Sequence, residues 1–176
     1  MPDTLPAPPD TVITAVVRAS LQHDRYPLSV TAWLQRHWRA LDRRTVATLR
    51  RDIRAPLAGQ PAGEAAAAWQ RLLDLAPPER ETLQPQPAPA CFAELSCLYA
   101  LGRQTYIVMD VTEWLRQAWP ALPEDARERV RAAVRRALSQ GGAGSDRVDA
   151  PRWQALLAPS LDPDPLQVCR DAERTR

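Results

Sequence analysis

Apolar residues recur at intervals of three and four along most of the chain, the spacing that gives a helix one buried face. The pattern is clearest in LDRRTVATLRRDIR, from Leu41 to Arg54. At roughly 100° per residue, Val46, Leu49 and Ile53 share one sector, while Arg43, Arg44, Arg50, Arg51 and Arg54 share another about 120° wide. Asp42 is a suitable N-cap after Leu41, and Pro56 supplies a stop. The expected element is a short helix with one face to bury and the other almost wholly cationic.

The same spacing predicts a first helix over Thr11–Asp24, with Val12, Ile13, Val16, Val17 and Leu21 inward. A second starts at Ser29 or Thr31 and buries Val30, Trp33, Leu34, Trp38 and Leu41. Another covers Gly63–Leu75, anchored by Trp69, Leu72 and Leu73. ACFAELSCLYALG is apolar nearly all round, which suggests a central buried helix ended by Gly102. TYIVM, Thr105–Met109, is the one β-flavoured run, and it can equally enter the next helix. Asp110 and Glu113 resemble a capping box ahead of Val111, Trp114, Leu115 and Trp119. Pro123 opens a helix to Leu138, and Pro151–Leu157 forms a short one carrying Trp153. A last turn or two is expected around Leu166, Val168 and Cys169. No internal repeat of fixed period is evident.

Prolines divide this pattern. Residues 1–10 read as a disordered tail, and residues 77–89, with five prolines, as a linker or ordered loop. An N-terminal helical lobe at 11–76 and a C-terminal one at 90–176 would flank it, with GGAGSD as a flexible connector in the second. The expected fold class is all-α, a helical bundle of about seven or eight helices that residues 77–89 could divide into two small lobes.

Composition adds one constraint. All 23 basic residues are arginine, against 21 acids, so the net charge is only +2. A small total with clustered arginine means segregated charge. Codon bias toward arginine explains the missing lysine, yet it does not explain five arginines on one face. No run of eighteen apolar residues exists, and the N-terminus is acidic and proline-rich where a signal peptide would be basic and then apolar. A cytoplasmic protein without membrane contact is the expectation. Cys91, Cys97 and Cys169 form neither a disulfide framework nor a CxxC site, and read as buried reduced thiols.

Familiar catalytic arrangements are missing. His23 and His37 sit in different helices, and there is no HExxH, Cys/His cluster, GxSxG elbow or Walker-type glycine loop. No enzyme activity, cofactor or metal is expected. The arginines remain, and their planar guanidinium suits phosphate in a sequence-independent, salt-sensitive way. Arg127, Arg131 and Arg135 form a second stripe, with Glu124 and Glu128 in reach to neutralise part of it, so a solvated face accounts for it better. The candidate nucleic-acid-binding residues are therefore Arg43, Arg44, Arg50, Arg51 and Arg54, with Arg127, Arg131 and Arg135 second. Five of the six tryptophans fall on apolar sides of predicted helices and read as core, and Trp119 beside Pro120 is left open.

The order WLQRHWRALDRRTVATLRR, AAAWQRLL, a proline-rich gap and ACFAELSCLYALGRQ resembles the small subunit (CasB-like family) of the type I-E CRISPR Cascade complex. The matching positions are Leu49, Arg50 and Arg51; Trp69; and Leu98, Tyr99, Ala100, Leu101 and Gln104. ERVRAAVRRALS followed by VDAPRWQALL is similar to the family's late pattern, whereas TYIVMDVTEWL stands where a glycine-containing segment is expected. The resemblance implies an all-helical, non-catalytic subunit that associates with itself and with other CRISPR complex subunits along the crRNA. It also implies that basic residues, here Arg50 and Arg51, hold target DNA strands of the R-loop. Two other readings stay open: a helix-turn-helix transcriptional regulator using TVATLRRDI as recognition helix, and a helical protein-protein adaptor.

Overall fold

A computed structural model describes residues 4–103, 105–140 and 149–158. The expected connector at 141–146 and the expected turns around Leu166 to Cys169 lie outside these residues. Eight α-helices are present among those described: α1 Asp10–His23, α2 Pro27–His37, α3 Arg43–Leu57, α4 Glu64–Asp74, α5 Cys91–Ala100, α6 Thr105–Ala118, α7 Glu124–Ser139 and α8 Ala150–Leu156. Single 3-10 turns, Trp38–Ala40 and Trp119–Ala121, precede α3 and α7. The protein is all-α. No described helix is long and apolar enough to cross a membrane.

One open reading is resolved and three expectations about local structure are corrected. TYIVM belongs to α6, because Ile107, Val108 and Val111 all point into the core at helical spacing, and that burial outweighs β-propensity. Asp110 therefore lies inside α6 and caps nothing. The proline-rich head is ordered from Thr4: Leu5 is buried, and Thr4–Leu5 (β1) pairs antiparallel with Ala88–Pro89 (β2). Pro56 sits in the last turn of α3 rather than after it.

The centre is α5, buried on almost every side from Phe92 to Ala100, as its unbroken apolar character predicts. It packs most extensively on α1 and also on α6 and α7. Gly102, at φ 88°, makes the left-handed turn that ends it. One continuous core runs from Leu5 through both groups of helices to Leu156, and residues 77–89 follow its surface.

The structure brings out a repeat that periodicity does not. VTAWLQRHWRAL, beginning at Val30, matches VTEWLRQAWPAL, beginning at Val111, and PAP at Pro6 matches PAP at Pro87, each 81 positions apart. WQRLL in α4 likewise matches WQALL in α8. Helices α1–α4 and α5–α8 are thus two versions of one four-helix unit, each with the same 3-10 turn before its third helix. Their contacts are reciprocal. Trp33 Nε1 donates to the Pro87 carbonyl at 2.7 Å, and its counterpart Trp114 donates to that of Pro6 at 3.1 Å. Thr31 and Thr112 both return their hydroxyls to carbonyls of their own helix. Continuing the β1–β2 register sets the equivalent Pro6 and Pro87 opposite each other, as in the self-complementary interface of a two-fold dimer.

Candidate nucleic-acid interface

Helix α3 is nucleated by its cap. The Thr45 backbone N–H donates to Asp42 Oδ1 at 2.7 Å and the Thr45 hydroxyl to Oδ2 at 3.1 Å. Thr45, Val46, Leu49 and Ile53 are buried, which fixes the rotation of the helix and turns its opposite side to solvent.

The five arginines on that side divide by role. Arg44, Arg51 and Arg54 are exposed. Neither Arg44 nor Arg54 has an acidic partner among the described residues. Arg51 touches Asp52 at 3.5 Å, but its side chain is 73% exposed and Asp52 is already held by Arg18 at 2.7 Å. Arg43 donates to the carbonyls of Pro78 (3.1 Å) and Glu79 (3.2 Å), tying the proline-rich loop to the helix, and it has no acidic partner among the described residues. Arg50 turns inward. Its Nη2 donates to the Leu75 carbonyl, its guanidinium lies 5.9 Å from the Trp38 ring, and its buried Nε has no hydrogen-bond partner among the described residues. Arg50 lies at the edge of the cationic sector, next to Val46, so a long side chain reaches the core boundary from there.

The second stripe is neutralised in large part by acids of its own helix. Arg127 pairs with Glu124 at 3.3 Å and donates to the Leu122 carbonyl at 2.9 Å. Arg131 is buried, 3.0 Å from Glu128 and 5.3 Å from the Trp119 ring, and Arg135 shares Glu128 at 3.7 Å. Arg127 and Arg131 are thereby removed from the surface cations that the sequence offered. Trp119, left open, is fully buried.

The repeat explains which arginines the scaffold requires. Arg50 is equivalent to Arg131, and both reach a tryptophan of the preceding 3-10 turn. A residue kept in both units with the same contact serves the fold. Arg43, Arg44 and Arg51 correspond to Glu124, Asp125 and Ala132, so the unit folds without positive charge there. Among the exposed arginines of α3, only Arg54, opposite Arg135, retains its charge in both.

Sequence reasoning missed a buried carboxylate. Glu94, in the middle of α5, accepts from Arg25, from the Tyr26 hydroxyl at 2.9 Å and from Arg129 at 3.0 Å. A buried carboxylate requires such partners. The Tyr26 phenol, donating to Glu94 and partly buried, has its pKa raised. A lone glutamate in an otherwise apolar helix was the available signal. Near it, burial pushes the Cys91 thiol up to about 11 and raises that of Cys97 as well, so both stay protonated at neutral pH.

Comparison with protein-family models, with curated proteins and with solved structures finds no match.

Proposed function

We propose that this chain is a non-catalytic nucleic-acid-binding subunit that grips phosphates through α3, in an RNA-guided CRISPR surveillance complex of the kind its sequence resembles. The supporting observation is the outer face of α3, where Arg44, Arg51 and Arg54 project from a helix whose other side is fully buried. Guanidiniums so placed contact phosphates without reading bases. Arg50, which the resemblance singled out, acts in this reading as a support for the helix rather than as a contact. A helix-turn-helix use of α3 has weaker support, because the segment from Leu75 to Glu79 runs along its flank and engages Arg43 and Arg50.

The test is binding of the full chain to single-stranded and duplex DNA of unrelated sequences across a salt series, together with co-purification of crRNA-bearing subunits. Binding that falls steeply with salt and ignores sequence is expected. A specific duplex footprint would replace this reading with the regulator, and absence of nucleic-acid binding with the adaptor.

A further inference from the structure

A second feature, apart from the α3 face, lies where the first 3-10 turn meets the proline-rich loop. A cleft of about 530 Å³ opens there, with Arg36, Arg39 and Arg80 presenting three guanidiniums against the single carboxylate of Glu79. None of the three is ion-paired among the described residues, and Arg36 uses only its Nε, on the Ala32 carbonyl at 3.3 Å. The walls are fixed. Trp38 Nε1 donates to the Ala76 carbonyl at 3.2 Å, Arg43 holds those of Pro78 and Glu79, and the Gln84 N–H reaches that of Ala40 at 3.0 Å. His37, half-buried with its ring 4.8 Å from that of Trp33, lines the cleft with Pro77 and Pro78.

The equivalent positions of the second unit supply a control. Arg36, His37 and Arg39 correspond to Gln117, Ala118 and Pro120, so the same helix and turn form there without charge. The fold therefore does not require Arg36 and Arg39, which with Arg80 set three cations against the one carboxylate of Glu79 in this concavity. Such a concavity concentrates positive potential, its size suits a small organic ligand, and guanidiniums match phosphate oxygens two at a time.

We infer that this cleft binds a phosphate monoester of nucleotide size, its phosphate held by Arg36, Arg39 and Arg80 and its organic part lying against His37, Pro77 and Pro78. Such a group comes from a free nucleotide or from the phosphorylated end of a strand.

The experiment titrates AMP, adenosine and inorganic phosphate into the full chain by calorimetry at low salt. AMP binds, inorganic phosphate binds more weakly and adenosine does not. The double variant Arg39→Ala/Arg80→Ala, both exposed positions, keeps its unfolding midpoint and loses AMP affinity by about tenfold or more. Arg44→Ala/Arg54→Ala on α3 leaves AMP binding unchanged and so separates this site from the proposed nucleic-acid face. Competition by oligothymidylate with a 5′-phosphate, and not without it, assigns the strand end as source; failure of both to compete assigns the free nucleotide. No heat with AMP, equal binding of adenosine, or unchanged affinity in the double variant overturns the inference.

Discussion

Helices α3 and α7 hold the same place in two versions of one four-helix unit, and they carry their arginines in opposite ways. On α7 the cations meet acids one turn away, through Arg127–Glu124, Arg129–Asp125 and Arg131–Glu128. On α3 the equivalent outer positions carry Arg43 and Arg44 where α7 has Glu124 and Asp125, so nothing on the helix balances them. What the two helices share is their inner side: a tryptophan on the preceding turn and an arginine lying on it. Positions that share both residue and contact maintain the fold, and positions that differ are free to act on something outside it.

The largest expected effect concerns the shared part. Trp38 and Trp119 are both fully buried, and replacing either by Ala should cost about 3–5 kcal/mol by denaturant unfolding. Losses of similar size at both sites support equivalence, whereas a negligible loss at one breaks the comparison. Arg50→Ala, which removes the Leu75 carbonyl contact and the Trp38 stacking, should cost about 1–2 kcal/mol, while Arg44→Ala should stay within about 0.5 kcal/mol of the wild type. Equal effects would mean that Arg50 is not a support.

The smallest effect is a pH dependence confined to the first unit. Burial, with help from the charge of Arg36, holds the His37 pKa below its ordinary 6.5. Below 6.5 the unfolded chain then binds a proton more readily than the folded one, so stability falls as pH drops through that value. His37→Gln should flatten this slope in unfolding scans between neutral and mildly acidic pH. Ala118 stands at the equivalent place, so the second unit contributes no such slope from that position.

Most of the fold was legible because buried residues repeat at helical intervals: Val12 to Leu21, Trp69 to Leu73 and Phe92 to Leu101 all read directly from spacing. The order of residues 4–9 was not, because Leu5 is held by pairing with a segment far along the chain. The internal repeat was hidden for a related reason. Its retained positions, such as Val30, Trp33, Leu34 and Trp38, are scattered among surface residues that differ in charge, so neither composition nor local period exposes it. For the candidate site, the rotation of α3 was legible from Val46, Leu49 and Ile53. The inward turn of Arg50 was not, because a wheel gives the direction of Cβ and not the reach of a long side chain. The cleft was likewise invisible, since Arg80 comes from a loop whose path the spacing does not define.

The most direct test transfers the outer residues of one helix to the other. Arg44→Asp/Arg51→Ala gives α3 two of the outer residues of α7, leaving Arg43 to hold the proline-rich loop, and it should unfold at an unchanged denaturant midpoint. In fluorescence anisotropy with single-stranded DNA it should bind at least about tenfold more weakly, with the slope of log affinity against log salt reduced by about 1–2. Undiminished binding with an unchanged slope would contradict the claim that the arginines distinguishing α3 from α7 are the ones that grip phosphate.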